Sequence, residues 1–143
     1  LCVGQAGGRT AVTPERVAIN LMDARIPDNT GYQPIDEPIA PDGPAAYFST
    51  LPVKAIAERI QSAGLPAVVS NTAGTYVCNN LLYTLLHTAA LEYPGLRGGF
   101  LHVPYAIEQL PGKPGDTFGM KLCDIARALT CAVEAIAEHL LER

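Results

Sequence analysis

The segment that decides the fold reads AVVSNTAGTYVCN, residues 67–79. Its short apolar start, Ala67 to Val69, is typical of a buried strand, and the small residues that follow favour a turn. A helical pattern then extends from about Asn79 to Leu91. A strand, a turn and a helix in this order predict a layered α/β architecture.

Cys78 lies where this turn meets the helix. The first N–H groups of a helix have no partner inside the helix, and the helix macrodipole places positive charge there. Such an environment predicts a lowered pKa for the thiol and donors that can hold an oxyanion, as a thiol nucleophile requires. The alternative is a small buried side chain that seals the turn, which is the more common role of a lone cysteine.

Strand-like and helical patterns alternate through the rest of the chain. The patterns predict strands at Leu1–Val3, Glu15–Leu21, Leu65–Val69 and Gly98–Val103, and helices at Leu51–Ala63, Asn79–Leu91 and Phe118–Leu141. In the second strand, the alternation groups Val17, Ile19 and Leu21 on one face. We therefore expect one α/β domain over residues 1–143, a mostly parallel twisted sheet with helices on both faces.

Composition narrows the function classes. Of the 143 residues, 48% are hydrophobic and only 17% are charged, which indicates a compact core. The net charge of −4, without a basic run, argues against nucleic acid as a partner, and no apolar stretch reaches the roughly 18 residues of a membrane span. The four cysteines form no CxxC motif and the three histidines are scattered, so we expect no metal site and no other cofactor. The same cysteine usage fits a protein of the reducing cytoplasm, where we expect it to be located.

Two further residues complete a possible hydrolytic site. His102 lies at the end of a predicted strand, where functional groups of parallel sheets gather, and can serve as the base that Cys78 needs. Glu15 lies at the start of another predicted strand and can orient that histidine. Taken alone, each has a simpler interpretation, a core histidine and a solvated surface carboxylate.

Three long blocks occur in a recognisable order: GQAGGR at 4–9 with VTPERVAIN at 12–20, VSNTAGTYVCN at 69–79, and FLHVPY at 100–105. In these blocks the chain resembles the pyroglutamyl peptidase I (pyrrolidone-carboxylate peptidase) family of cysteine peptidases. The resemblance implies a catalytic triad of Glu15, Cys78 and His102, with Arg25 near the site as an oxyanion donor.

The resemblance also implies a substrate. A family member removes an N-terminal pyroglutamyl residue from peptides through a thiol acyl-enzyme. A neutral lactam ring calls for apolar walls, for which Ile26 and Tyr76 are candidates, with core packing as the alternative. Gln5 either contacts the substrate or braces its loop. The resemblance further implies a homo-oligomer, commonly a tetramer, with pyroglutamyl peptides as partners.

Other interpretations stay open. A different Cys–His thiol hydrolase of the amidotransferase type is one, although the context TYVCN lacks the usual G-x-C-x-G elbow. A non-catalytic remnant of the scaffold is another. The chain also opens as LCVG, inside an apparent strand, and no segment matches the aromatic N-terminal loop of the family. We therefore expect an N-terminal strand and loop to be missing.

Overall fold

The computed structural model describes residues 1–141, which form three α-helices and seven short strands. The strands are β1 (Cys2–Gln5), β2 (Thr13–Pro14), β3 (Val17–Ile19), β4 (Ala46–Phe48), β5 (Phe100–Val103), β6 (Tyr105–Ala106) and β7 (Gly119–Met120). The helices are α1 (Val53–Ser62), α2 (Cys78–Glu92) and α3 (Leu122–Leu141), and a single 3-10 turn covers Ile107–Gln109. None of the helices in this part of the chain is long and apolar enough to cross a membrane.

The central sheet has the order β1-β5-β2. β1 runs parallel to β5 with Gly4 opposite His102, and β2 runs antiparallel to β5 with Thr13 opposite the same histidine. Two parallel bridges, Val12 to Ala67 and Glu15 to Ser70, extend the sheet. His102 therefore lies in the middle strand, with backbone neighbours on both sides.

The two faces of β5 pack against different helices. Leu101 and Val103 join the cluster that contains buried residues of α1 and α3, among them Ile56, Ile60, Ile125 and Ala128. Phe100 belongs to a second cluster with Leu82, Tyr83 and Leu86 of α2. Each aliphatic side chain buried in this way contributes about 1.5–3 kcal/mol. Helices thus cover both faces, which confirms the predicted α/β class, and the alternation along β5 puts His102 on the α2 side with Phe100.

The segment Leu65–Val69 does not form the continuous strand that was predicted. It makes only the isolated bridge at Ala67. Backbone hydrogen bonds still join it to the neighbouring segment, since Val12 N–H donates to the Pro66 carbonyl, Val68 N–H to the Val12 carbonyl and Ser70 N–H to the Pro14 carbonyl. Pro14 has no N–H to donate in return, so the ladder is interrupted there and only isolated bridges remain.

The predicted strand Glu15–Leu21 is also different. Only Val17–Ile19 of this range form a strand, β3, and Glu15 lies between β2 and β3 with its backbone N–H bonded to the carbonyl of Phe100. The alternation within β3 is as predicted, and the face of Ala18 is the buried one: Ala18 is fully buried against α2, while Val17 and Ile19 are half-buried. A small side chain allows the β3–β4 ribbon to lie close to the helix.

The long C-terminal helix begins at Leu122 rather than at Phe118. Gly119 and Met120 instead form β7, which pairs in parallel with β6. The apolar side chain of Met120 is buried in the α1–α3 cluster, so its hydrophobic signal arises from a strand and not from a helix.

Candidate active site

Cys78 is the first residue of α2. The preceding residue, Val77, has φ +39° and ψ −68°, a conformation that a β-branched residue adopts only under strain. Val77 has no side-chain acceptor to cap the helix, so N–H groups of the first turn remain available beside the thiol. The sharp bend at Val77 thus sets the thiol at the start of the helix, where an oxyanion can be held.

His102 and Glu15 form a buried pair. Nδ1 of His102 lies 2.7 Å from Oε1 of Glu15, and the two residues are 3% and 0% exposed. A carboxylate only accepts hydrogen bonds, so Nδ1–H donates and Nε2 is left to accept a proton. The structure therefore brings together the base and the orienting acid that the sequence predicts, and the surface-charge interpretation of Glu15 is wrong.

Gly4 positions the thiol and the histidine on the same side of the sheet. A Cβ atom at Gly4 would lie 3.2 Å from Sγ of Cys78 and 2.6 Å from Cζ of Phe100. The Phe100 ring in turn lies 4.8 Å from the His102 ring, between centroids. Gly4 is opposite His102 in the sheet. Only a residue without a side chain fits between these groups.

Arg9 is the site residue that sequence reasoning missed. Its Nη1 lies 2.7 Å from the same Oε1 of Glu15 that accepts from His102, and it also donates to Thr13. Its Nη2 donates to the carbonyl of Thr72 at 3.0 Å. The available signal was physical: a carboxylate that is buried needs a cation, and Arg9 lies six residues before Glu15.

The other oxygen of the carboxylate, Oε2 of Glu15, is buried and has no hydrogen-bond partner among residues 1–141. All the polar contacts of the Glu15 side chain with the rest of this part of the chain therefore pass through Oε1. This concentrates the negative charge on the atom that faces both His102 and Arg9.

The pKa of the Cys78 thiol is raised, whereas the sequence predicted a lowered one. Burial raises the pKa of the Cys78 thiol, the negative charge of Glu15 adds to the increase, and the positive charge of Arg9 opposes it. A lowered pKa was expected from the helix start alone, but desolvation of the thiolate dominates. These surroundings thus favour the protonated thiol of Cys78 over the thiolate, so a role as nucleophile would need a base close by.

The structure does not bring Arg25 and Gln5 into contact with the triad. Arg25 is exposed and makes no hydrogen bond or ion pair within residues 1–141. Gln5 ends β1, and its side-chain amide donates to the side-chain carbonyl of Gln109. That contact corresponds to the bracing role predicted as one of its two alternatives.

Ile26 and Tyr76 line an open groove of about 700 Å³ beside the start of α2. Ile26 is 74% exposed, and the Tyr76 hydroxyl donates to Oδ2 of Asp28 at 3.3 Å. The groove also includes Val77, next to Cys78, but the side chains of the triad do not line it. Ile26 is therefore a wall residue of a surface groove and not a core residue.

Within residues 1–141, no group of three His, Cys, Asp or Glu side chains is arranged to hold a metal ion. All four cysteines are free thiols; on α3, Cys123 is exposed and Cys131 is buried. The site is thus built from a thiol, an imidazole, a carboxylate and a guanidinium.

Comparison with known proteins identifies the family of the chain. The family model for pyroglutamyl peptidase matches residues 1–139. The chain belongs to the pyroglutamyl peptidase family. A pyrrolidone-carboxylate peptidase from Streptococcus pneumoniae (strain 70585) is 59% identical over 139 residues, which are 97% of this chain and 64% of the relative.

Solved structures of the pyroglutamyl peptidase family have the same fold. The pyroglutamyl peptidase I from Bacillus amyloliquefaciens matches with a TM-score of 0.91 and 52% identity over 95% of this chain and 64% of the other. The pyrrolidone carboxyl peptidase from Thermococcus litoralis matches with a TM-score of 0.94 and 42% identity, over 98% and 66%. The chain thus spans about two thirds of the length of the relatives it matches.

Proposed function

We propose that this chain carries the catalytic centre of a cysteine exopeptidase that removes an N-terminal pyroglutamyl residue from peptides. The observation that supports it most is the buried His102–Glu15 pair on the face of the sheet where α2 presents Cys78. A nucleophile, a base and an acid that orients the base are the three groups that acyl transfer by a thiol requires. Membership of the family supports the choice of substrate.

In the proposed reaction, Nε2 of His102 takes the proton of the Cys78 thiol, and Sγ attacks the carbonyl that joins pyroglutamate to the next residue. The backbone N–H groups at the start of α2 stabilise the oxyanion. The C–N bond breaks, and the leaving amine receives the proton from His102. Water then hydrolyses the thioester, again with His102 as the base, and the thiol is restored.

Glu15 has a defined part in each step. His102 carries a positive charge while it holds the proton, and the carboxylate 2.7 Å away stabilises that charge. Because burial disfavours the thiolate of Cys78, this stabilisation lowers the cost of making it. Arg25 is exposed and makes no hydrogen bond or ion pair within residues 1–141. It could therefore turn toward the substrate without losing such a bond, which makes it a candidate second donor to the oxyanion.

The groove beside Cys78 fits a neutral ring. Its apolar side chains include Ile26, Val77 and Leu81. Its one carboxylate, Asp28, is already engaged: Oδ1 accepts from Thr30 and Tyr32 of the same loop, and Oδ2 accepts from the distant Tyr76. The groove therefore offers little to a free α-ammonium group and more to a lactam.

Three peptides that differ only in the first residue test this function. The full-length protein should cleave the peptide that begins with pyroglutamate and resist those that begin with Gln or Glu. Cys78→Ala should abolish the cleavage, whereas Cys123→Ala, at an exposed cysteine on α3, should not. Comparable cleavage of all three peptides, or undiminished cleavage by the Cys78→Ala variant, contradicts the proposal.

We further propose a homotetramer in the cytoplasm. The family resemblance supports the tetramer, and the exposed Phe48, at 69%, is suited to burial between subunits. The cysteine usage, without CxxC pairs, supports the reducing compartment. Sedimentation of the purified protein tests the first statement, and fractionation of cells tests the second.

A further inference from the structure

The carboxylate of Glu15 presents a problem that the triad does not solve. It is fully buried, and burial of an unpaired charge is costly. In the proposed reaction His102 starts as the base, so it brings a positive charge to the pair only after it has taken the proton of Cys78. The charged and titratable side chains that face Glu15 are His102 from β5, Cys78 from α2 and Arg9 from the loop after β1. Of these, Arg9 alone is a permanent cation.

We propose that Arg9 is a positioning residue of the catalytic centre, which balances the charge of Glu15, aims its Oε1 at His102 and ties both to the loop that leads to Cys78. The proposal rests on the peptidase function proposed above.

The contacts of the guanidinium carry this role. Nη1 of Arg9 lies 2.7 Å from Oε1 of Glu15, the same distance and the same oxygen as for Nδ1 of His102. A second contact joins Arg9 to the hydroxyl of Thr13, which lies opposite His102 in the sheet. One planar group thus holds both the carboxylate of Glu15 and the hydroxyl of Thr13.

The other arm of the guanidinium reaches the nucleophile's loop. Nη2 donates to the carbonyl of Thr72 at 3.0 Å, six residues before Cys78. Ser70, two residues earlier, is bridged to Glu15 in the sheet. The acid and the loop before α2 are therefore connected twice, once through the backbone and once through Arg9. A lysine has a single ammonium group, so it cannot bind the Glu15 carboxylate and the Thr72 carbonyl through two separate nitrogen atoms as Arg9 does.

The balance of charge has a measurable consequence at the thiol. Glu15 disfavours the thiolate of Cys78 and Arg9 favours it. Without Arg9, the thiolate would face the carboxylate with no permanent cation nearby. The pH dependence of thiol reactivity therefore reports the role of Arg9 directly, and it does so without any peptide substrate.

The test compares Arg9→Met, Arg9→Lys and the matched control Arg16→Met in the full-length protein. The side chain of Arg16 ties the same loop, since its Nε donates to Oδ1 of Asn71 at 2.8 Å, but within residues 1–141 it makes no hydrogen bond or ion pair with the Glu15 carboxylate. The rate of alkylation of Cys78 by iodoacetamide is followed against pH by mass spectrometry, together with kcat and KM for a pyroglutamyl substrate and a thermal melt.

In Arg9→Met the alkylation profile should move to higher pH, alkylation at neutral pH should slow several-fold, and kcat should fall about tenfold or more with little change in KM. Arg9→Lys should restore most of the profile, because the charge returns, but only part of kcat. Arg16→Met should retain the parent profile. If Arg9→Met does not fold, Arg9→Gln is measured in the same way.

An unchanged alkylation profile in a folded, uncharged variant at position 9 overturns the proposal. So does an Arg16→Met profile that moves as far as that of Arg9→Met, because the loop and not the charge would then be responsible. Failure of the peptidase function is a separate result. It appears as parent protein that cleaves no pyroglutamyl peptide, whatever the alkylation profiles show.

Discussion

Replacing Glu15 with Gln removes the charge beside His102 and keeps the shape of the side chain. Oε1 of the fully buried Glu15 lies 2.7 Å from Nδ1 of His102. With the charge centres about 4 Å apart and an effective dielectric constant near 20, the carboxylate stabilises an imidazolium by about 4 kcal/mol. The imidazolium forms as Cys78 attacks, so kcat should fall by about 10²–10⁴-fold with a modest change in KM.

The same variant should also lose stability. Two charge-assisted hydrogen bonds, from His102 and Arg9, would become bonds to a neutral amide oxygen, at a cost of about 1–3 kcal/mol. Hydrolysis of a pyroglutamyl coumarinylamide gives kcat and KM, and denaturant unfolding gives the stability. Glu58→Gln, on the exposed surface of α1, is the control and should match the parent. A folded Glu15→Gln protein with parental kcat would refute the orienting role of Glu15.

Three further outcomes follow from particular contacts. Gly4→Ala should destabilise the fold by about 1–3 kcal/mol and reduce kcat, because its Cβ would lie 2.6 Å from Cζ of Phe100 and 3.2 Å from Sγ of Cys78. Gly115→Ala meets no atom within 4 Å and should show neither effect in unfolding and rate assays. The alkylation midpoint of Cys78 should lie above that of the exposed Cys123, because burial raises the pKa of the Cys78 thiol; a lower midpoint would show that the helix start dominates. Val77→Gly should raise the melting temperature slightly, since glycine tolerates φ +39° with less strain, and a clear decrease would argue against strain at this bend.

The helices could be predicted from the sequence because each has a long apolar stripe. Residues 53–62 and 78–92 form α1 and α2 within one or two residues of the predicted bounds. Short strands could not be predicted as well. Pro14, on the neighbouring segment, interrupts the hydrogen bonds to residues 66–70, and the burial of Ala18 depends on how closely α2 approaches. Neither effect is visible in a local pattern.

Some features of the candidate site could likewise be predicted from the sequence, and others could not. Glu15, Cys78 and His102 could be predicted from long blocks that resemble a known family, and the fold places them on one side of β5. Arg9 was missed because its contacts join it to Glu15 and to Thr72, 63 residues away, with no periodicity to reveal them. The direction of the Cys78 pKa was wrong because burial and the charge of Glu15 arise from packing between distant segments.

The most direct test of the central claim is to trap the acyl-enzyme. The full-length protein is mixed with a pyroglutamyl peptide, quenched in acid during turnover and digested for mass spectrometry. One pyroglutamyl group should be found as a thioester on the peptide that contains Cys78 and on none that contains Cys2, Cys123 or Cys131. In the Cys78→Ala variant the adduct should be absent. Ongoing cleavage with an adduct on another cysteine, or equal cleavage by the Cys78→Ala variant, would contradict the claim that Cys78 is the nucleophile.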